Sequence, residues 1–433
     1  RVVDLGQYIA GPLVGTLLAD QGADVVKIER PGGPHWHCEA NTRLNFRKRV
    51  ITLDLKSPAG LAEAEALIAE ADVLIENFRP GVMESLGLKP QELRKRDPKL
   101  VVLSLPGFAS NDQEHAHLKA YEGMISAVTG VFADMGLDRI LEGFCPSYSA
   151  LPQASVYGGV LGAVSVVAAL VAREETGTGD CIQVPLANAL LEGLCFNAMD
   201  IDLPKRYLSN RVLEIQRRRS EGLPFNLTRQ QVLDLQEPFF RVYECRDGKR
   251  IYLVTMGHVK HVEHLLAALD LTEEAEKICP SADLWDSGSW RAFSDTANCK
   301  CALQMMYLRE PFATRIRKLM IEKFLQRDAE EWANLLANAR VPCSLILSTK
   351  EWLHSTHALQ SGLVEERDGE LHMGPLAWLE DDEVPAAKGT PAPQDEGTSQ
   401  LGSESSPHPV PGPWLQGLKV LCLCNVIAGP MVS

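Results

Sequence analysis

Basic residues beside predicted strands are the side chains of this sequence that could bind an anionic ligand. Arg47, Lys48 and Arg49 lie at the start of the strand-like run RVITLDL, and Arg79 follows the run DVLIENF. Phosphate groups are bound by such cations and by backbone N–H groups at the ends of sheet strands. Residues 47–49 could equally form a solvated basic turn before the strand, so the pattern leaves both interpretations open.

Two other kinds of site find little support in the sequence. The Gly-x-Gly-x-x-Gly fingerprint of dinucleotide-binding folds is absent, which argues against a classical NAD site. Cys299 and Cys301 lie one residue apart, but no second Cys or His pair follows them at zinc spacing. We therefore predict no metal site and no covalently bound cofactor. The eleven cysteines are odd in number, scattered and without a Cys-x-x-Cys pair, which is typical of a reducing compartment.

The charge of the chain limits its partners. The 433 residues carry a formal net charge of −14, whereas nucleic acid and anionic membrane surfaces need a basic footprint. The longest apolar run, residues 156–172, is shorter than the ~20 residues that cross a bilayer, so we expect a buried helix and no membrane partner. Residue 1 is Arg rather than Met and already belongs to a strand pattern, so no signal peptide is visible and the true N-terminus is expected to be missing. We predict an intracellular protein in the cytoplasm, with an organelle left open.

The order of predicted elements favours an α/β fold. Residues 2–5 and 25–28 are apolar strand-like runs, and Pro12 lies in the first turn of the helix predicted between them. The runs RVITLDL, DVLIENF and KLVVLSL continue the alternation with helical segments, which predicts a Rossmann-like parallel sheet covered on both faces. Two strand-like runs around Asp247-Gly248 give a hairpin signal, and helical segments follow them. This second pattern predicts a smaller α+β domain.

These patterns divide the chain into five parts. Residues 1–210 are predicted to form the large domain, residues 225–330 the small domain, and residues 331–383 a return to the large domain. Residues 384–413 are rich in Pro, Gly, Ser, Thr and Glu and lack apolar periodicity, which predicts a disordered linker. Residues 414–433 include KVLCLCNVIAGPMVS, which matches the opening RVVDLGQYIAGPLVG at seven of fifteen positions. This match predicts the start of a second repeat.

Five stretches of the chain belong together by their order and spacing. They are RVVDLGQYIAGPLVGTLLADQGADVVKIERPGG, RKRVITLDLKSPAG, ADVLIENFRPGVMESLGL, LSLPGF and AREETGTGD. Together they resemble the class III coenzyme A transferases, the CaiB/BaiF group that includes formyl-CoA transferase and carnitine CoA-transferase. The resemblance runs from Arg1 to about Asp200 and resumes near ARVPCSLILSTKEWL. It implies an enzyme that moves CoA between an acyl-CoA thioester and a small carboxylic acid.

The resemblance also implies where CoA binds. In this family the Asn-Phe-x-Pro-Gly motif lines the CoA site, and the Lys of a KAYE-like stretch contacts CoA. The residues implied here are Asn77, Phe78 and Lys119, and the basic residues Arg79, Arg47 and Lys48 beside the strands complete the predicted CoA-binding set. Phe78 could instead pack in the core. Where the family often has a phosphate-binding Arg after the Pro-Gly-Gly turn, this chain has His37 or Cys38.

The nucleophile is the point at which this sequence departs from the family. The family reaction uses an Asp carboxylate, which attacks the thioester to give an acyl-aspartyl anhydride and free CoA thiolate, before the incoming acid takes over the CoA. By resemblance this Asp lies eighteen residues before the Arg of the A-R-E-x-T-G-x-G turn, and counting back from Arg173 reaches Ser155. No Asp or Glu lies between Cys145 and Ala172. Glu122 of the KAYE stretch, implied to lie near the reacting carboxylate, is the other candidate catalytic residue.

The sequence is therefore identified as the N-terminal half of a tandem, two-repeat class III CoA-transferase-like protein. Family members form interlocked ring-like dimers, so this half is expected to pair with the second repeat or with a homodimer partner. One alternative is a non-catalytic CoA-binding or structural half of such a pseudo-dimer. Another is one half of a dimethylsulfoniopropionate CoA-transferase/lyase-like enzyme.

Overall fold

The chain forms two compact units. A computed structural model describes residues 1–194, 208–255, 259–278, 308, 312–367 and 369–374. The first unit comprises Arg1–Thr129, Ala150–Ala198 and the chain from Leu359, and the second comprises Gly130–Ser149 and Met199–Ala358. The predicted linker at 384–413 and the predicted second repeat at 414–433 lie outside the described residues.

The strands and helices are numbered here in chain order. The strands are β1 (Val2–Asp4), β2 (Val25–Glu29), β3 (Arg49–Thr52), β4 (Val73–Glu76), β5 (Val101–Ser104), β6 (Cys181–Gln183), β7 (Phe240–Glu244), β8 (Arg250–Val254), β9 (Cys343–Leu345), β10 (Val364–Arg367) and β11 (Glu370–Met373). The helices are α1 (Ala10–Asp20), α2 (Glu39–Leu44), α3 (Pro58–Ala69), α4 (Val82–Ser85), α5 (Pro90–Arg96), α6 (Glu122–Val128), α7 (Val131–Asp134), α8 (Leu137–Glu142), α9 (Gln153–Thr176), α10 (Leu186–Leu190), α11 (Asn210–Glu221), α12 (Arg229–Asp234), α13 (Val259–Ala268), α14 (Thr272–Ile278), α15 (Phe312–Phe324), α16 (Ala329–Asn338), α17 (Thr349–Leu353) and α18 (Thr356–Gln360), with a 3-10 turn at Leu191–Leu194.

A six-stranded sheet organises the first unit. Its order is β3-β2-β1-β4-β5-β6 and every pairing is parallel, with Val3 opposite Val26 on one side and Leu74 on the other. Strands β1, β2 and β4 are buried along their whole length, as expected for strands covered on both faces. The predicted Rossmann-like parallel sheet is confirmed.

Helix α9 covers the middle of this sheet. Glycines on its buried face allow the close approach: a Cβ at Gly159 would lie 2.8 Å from Leu13 of α1, and one at Gly162 would lie 3.1 Å from Leu103 of β5. Among the described residues, α9 is the one helix long and apolar enough to cross a bilayer by length and composition, and 44% of its most apolar window is buried in the protein. Core helices of globular proteins meet the same criterion, and one face of α9 packs on α1 and β5. The opposite face is exposed, so the expected buried helix is buried on one side only.

The second unit is α+β. Strands β7, β8 and β9 form an antiparallel sheet, and the β7–β8 hairpin turns at Gly248, whose φ of 75° suits glycine. Its core contains aromatic rings in contact: Tyr243 and Phe324 are tilted at 4.5 Å, and Phe324 and Trp332 meet edge to face at 5.3 Å between centroids. The hairpin expected at Asp247-Gly248 is confirmed.

The unit boundaries differ from those expected from sequence. Residues 331–358 were expected in the large domain, but β9 pairs with β8, which places this stretch in the second unit and moves the return of the chain to Leu359. Residues 130–149 also belong to the second unit, where Leu141 of α8 packs against Ile215 and Val232. A helix followed by a strand does not by itself specify which sheet the strand joins, and this explains the difference.

Candidate functional site

The loops after β1 and β4 are clasped together at the centre of the sheet. Asn77 directly follows β4, and its Oδ1 accepts a 2.7 Å hydrogen bond from the Gln7 amide while its Nδ2 donates a 2.7 Å bond to the Gln7 carbonyl. The strand order reverses between β1 and β4, and α/β sheets bind ligands outside the carboxyl ends of their strands at such a point. The remaining hydrogen of Nδ2 and lone pair of Oδ1 are what Asn77 can offer a ligand.

Glu76 and Phe78 on either side of Asn77 are directed partly inward. Phe78 is half-buried against the core, and its backbone N–H donates a 2.7 Å hydrogen bond to Oε2 of Glu76. Burial raises the pKa of Glu76 to about 7, against the lowering effect of hydrogen bonds from Ser104 and Phe78. Glu76 was not singled out from the sequence, although a glutamate ending an otherwise apolar strand was the available signal. Arg79 is exposed and donates a 3.3 Å hydrogen bond to the His117 carbonyl.

The two basic residues before β3 are engaged within the fold. Lys48 Nζ donates hydrogen bonds to Asp4 Oδ2 at 2.9 Å and to the Pro12 carbonyl at 2.6 Å, and both ionic side chains are 0% exposed. Burial tends to raise the pKa of Asp4, but Lys48 and other partners lower it below its ordinary value. Arg47 pairs with the buried carboxylate of Asp20 at 3.2 Å. This geometry gives Lys48 an internal partner rather than the ligand contact expected from its place before a strand.

The segment 117–122 crosses the carboxyl edge of the sheet. A Cβ built on Gly107 would lie 2.0 Å from the Cβ of Ala120, so only glycine at 107 lets the segment lie where it does. Lys119 is exposed, and its ammonium group makes no hydrogen bond or ion pair within the described part of the chain. Of the predicted CoA ligands, Asn77, Arg79 and Lys119 lie in the loops after β4 and β5, while Arg47 and Lys48 pair with carboxylates within the fold.

Glu122 and the residues at the start of α9 are joined by three hydrogen bonds. Helix α6 begins at Glu122, and Oε1 accepts the Ala154 amide at 2.8 Å while Oε2 accepts the Ser155 amide at 2.9 Å. The Ser155 hydroxyl donates a further 2.7 Å bond to Oε2, and Ser155 is buried. Glu122 thus caps the N-terminus of α9, a helix whose own N-cap, Pro152, has no side-chain hydrogen bond.

This arrangement limits what Ser155 can do chemically. Its hydroxyl has a carboxylate neighbour, which the sequence pattern alone does not place. To take the Ser155 proton, however, Glu122 would have to give up the charge that also holds two backbone amides at the positive end of α9. The contact therefore supports helix capping more directly than activation of a serine nucleophile.

Two tyrosines border this contact. Tyr8, in the loop after β1, has a φ of 61°, and its ring meets Tyr121 edge to face with 5.6 Å between centroids. Burial and the Tyr121 hydroxyl raise the pKa of Tyr8. The ring of His35 lies parallel to that of Tyr8 at 6.3 Å. Neither tyrosine was singled out from the sequence, where the one available signal was that Val426 stands opposite Tyr8 when residues 419–433 are aligned with residues 1–15.

In the described ranges, no cluster of three His, Cys, Asp or Glu side chains could hold a metal ion. Cys299 and Cys301 lie outside those ranges.

Comparisons with known proteins agree with the fold. A protein of Marinomonas sp. (strain MWYL1) named CoA-transferase/lyase DddD is 39% identical over 99% of this chain, which spans 53% of that relative's length. Formyl-CoA:oxalate CoA-transferase of Rhodopseudomonas palustris (strain BisB18) is 28% identical over 85% of this chain and 82% of its own. A crystal structure of a CAIB/BAIF family protein from Brucella suis superposes with a TM-score of 0.62 at 21% identity, covering 89% of this chain and 92% of that one.

The family assignment rests on the extent of the match. The sequence model of CoA-transferase family III matches residues 1–396, which include the clasped loops, the segment 117–122 and the start of α9. The chain belongs to CoA-transferase family III.

Proposed function

We propose that this chain is one half of a two-repeat protein that moves CoA between an acyl-CoA thioester and a carboxylic acid, and that this half lacks the nucleophilic aspartate. One observation carries the proposal: Ser155 stands at the position that the family resemblance gives to the aspartate, and its amide and hydroxyl bind Glu122. The match at residues 419–433 and the relative of about twice this length support the two-repeat arrangement.

Mass spectrometry after incubation with acetyl-CoA tests the missing nucleophile. The expected result is no acyl adduct on the 433-residue chain, because an acyl-aspartyl anhydride cannot form here. A hydroxylamine-sensitive adduct on Ser155 or Glu122 would contradict the proposal. In the longer gene, an Asp eighteen residues before an Arg-x-x-Thr-Gly-type turn of the second repeat is expected, and its absence would remove the transferase activity from the whole protein.

We propose that CoA binds at the carboxyl edge of the sheet, between Asn77, Phe78, Arg79 and Lys119. Arg79 and Lys119 are exposed there, and cations of this kind bind phosphates. Isothermal titration with acetyl-CoA distinguishes the two functions that this half could have. Binding without turnover supports a CoA-binding half, whereas failure to bind supports the purely structural alternative.

A dimethylsulfoniopropionate CoA-transferase/lyase-like activity is the second candidate function. The observation in its favour is the 39% identity to the Marinomonas protein named CoA-transferase/lyase. Headspace gas chromatography of the two-repeat protein with acetyl-CoA and dimethylsulfoniopropionate should detect dimethyl sulfide. Transfer to formate or oxalate without release of dimethyl sulfide would favour the general transferase. The cytoplasm remains the proposed compartment.

We further propose that a second copy of this fold covers the outer face of α9. Five valines at helical spacing, Val156, Val160, Val164, Val167 and Val171, are 42–59% exposed on a helix about 36 Å long. A contiguous apolar face of this kind is typical of a protein–protein contact. Light scattering of the 433-residue chain should give about twice its 47.6 kDa, and Val164→Glu should lower that mass. A monomeric wild-type chain would contradict the proposal.

A further inference from the structure

The backbone of Tyr8 adopts a conformation that bulky residues avoid. Its φ of 61° lies in the left-handed region, where non-glycine residues are uncommon and aromatic ones are costly. Such residues persist only where the surroundings fix them, and they concentrate at functional sites.

The surroundings of Tyr8 fix its backbone on both sides. Gln7 is held by both polar atoms of the Asn77 side chain. The carbonyl of Ile9, the N-cap of α1, accepts the Leu13 amide at 2.8 Å. Tyr8 is thus the one residue between a clasped loop and a helix start. The chain places its ring, 38% exposed, at the carboxyl edge of the sheet.

The ring of Tyr8 is in contact with the segment that carries Glu122. The two tyrosine rings are nearly perpendicular, at 84° with 5.6 Å between centroids, and Tyr121 directly precedes Glu122. On its other side Glu122 holds the Ala154 and Ser155 amides. A continuous series of contacts therefore runs from the loop after β1 to the N-terminus of α9.

We infer that Tyr8 is a positioning residue, which holds Tyr121 and thereby sets the Glu122 carboxylate on the first amides of α9. The rest of the segment is held differently, by the contact of Ala120 with Gly107 and by Arg79 at the His117 carbonyl. Those contacts hold the segment before Tyr121. At Tyr121 itself the backbone carbonyl accepts the Met124 and Ile125 amides of α6, and the Tyr8 ring packs on the side chain. The relevance of this arrangement to an acyl-CoA rests on the proposed function.

A ligand-independent measurement tests the inference. Hydrogen exchange of the 433-residue chain, resolved to single residues, reads the Ala154 and Ser155 amides, which lie in the first helical turn and have Glu122 as their acceptor. Glu122→Ala gives the rate for complete loss of the cap. In Tyr8→Gly these two amides should exchange several-fold faster than in wild type. In Tyr8→Phe, which keeps the ring, their exchange rates should stay within about twofold of the wild-type rates.

The thermal midpoint separates positioning from a general structural role. Glycine accepts a positive φ without strain, so Tyr8→Gly should keep its Tm within about 2 °C of wild type or raise it. Unchanged exchange at 154 and 155 would overturn the inference. So would a fall in Tm with equally faster exchange along all of α9.

A binding measurement connects the inference to function. Tyr8→Gly should weaken acetyl-CoA binding by several-fold while Tyr8→Phe retains it, and equal binding of wild type and Tyr8→Gly would overturn the role of Tyr8 in the site. If the wild-type chain does not bind acetyl-CoA but the exchange result holds, the proposed CoA site fails and the positioning of Glu122 by Tyr8 stands.

Discussion

The Ser155 hydroxyl donates a 2.7 Å hydrogen bond to Oε2 of Glu122, at the position where the family resemblance implies a nucleophilic aspartate. The carboxylate at this helix start is therefore supplied by α6 rather than by α9 itself. It binds two backbone amides as well as the hydroxyl. In this chain, the N-terminus of α9 is capped by a carboxylate from another helix.

Removal of this carboxylate should weaken the helix cap. Glu122→Ala leaves two buried amide donors and one hydroxyl without their acceptor, and we expect the free energy of unfolding to fall by about 1–2 kcal/mol. Ser155→Ala removes only the hydroxyl bond and should cost about half as much. Urea denaturation checks both variants, and equal losses would mean that the backbone amides contribute nothing to the contact.

Glu76 should make stability depend on pH. Its pKa is about 7 in the folded chain against 4.5 for the ordinary side chain, so the folded state holds a proton that the unfolded state releases between these values. The contribution of Glu76 to stability should therefore be fully present below pH 4.5 and be lost, by about 3 kcal/mol in all, as the pH rises from 4.5 through 7.

Glu76→Gln is the matched variant, since it keeps the shape of the side chain and removes the charge. Denaturation at pH 5 and pH 8 should show that the variant has lost this difference. Parallel pH profiles of wild type and variant would contradict the assignment of the proton to Glu76.

Substitution of Lys48 should lower stability, because its side chain pairs with Asp4 inside the fold. Lys48→Met leaves the buried Asp4 carboxylate without its ion-pair partner, and breaking such pairs costs about 3–5 kcal/mol. Adding Asp4→Asn should recover part of this loss. The measurement is chemical denaturation. If Lys48→Met leaves the free energy of unfolding unchanged, Lys48 returns to the candidates for ligand contact.

Substitution of Lys119 should weaken ligand binding and leave stability unchanged. Lys119→Ala removes an exposed cation at the carboxyl edge, so acetyl-CoA should bind roughly three- to tenfold more weakly while the Tm stays unchanged. Lys99→Ala is the control, because Lys99 is also exposed but precedes β5, at the amino edge of the sheet. Titration calorimetry that finds the same affinity for both variants would remove Lys119 from the site.

The Gly107 contact can be tested by compensation. Gly107→Ala places a methyl group 2.0 Å from Ala120, and we expect a loss of about 1–3 kcal/mol together with weaker acetyl-CoA binding. Ala120→Gly in the same chain removes the clash and should restore at least about 1 kcal/mol of the loss. Additive effects of the two substitutions would show that the two residues do not meet.

The local pattern of the sequence predicted the large sheet well. Alternating strand and helix signals predicted a parallel sheet, which the structure shows with six strands, and Asp247-Gly248 predicted the β7–β8 hairpin. The same local pattern misplaced residues 331–358, because it carries no information about which sheet accepts β9.

The contacts of the site were harder to predict from the sequence than the sheet, because they join residues that are far apart along the chain. Lys48 was predicted to face a ligand, but its partner Asp4 lies forty-four residues away and no local pattern indicates it. The family resemblance implied that Glu122 lies near the reacting position, and the contact with Ser155 supplies its geometry. The positive φ of Tyr8 could not be expected, because tyrosine rarely adopts it. The CoA contacts of Asn77, Phe78, Arg79 and Lys119 remain predictions.

The contact between Gly107 and Ala120 also constrains the order in which this protein could evolve. A side chain at position 107 is blocked for as long as position 120 carries a methyl group. Position 120 can change to glycine first without a clash, and only then does position 107 become free to vary. The same pair of substitutions is thus accessible by one mutational path and closed by the other.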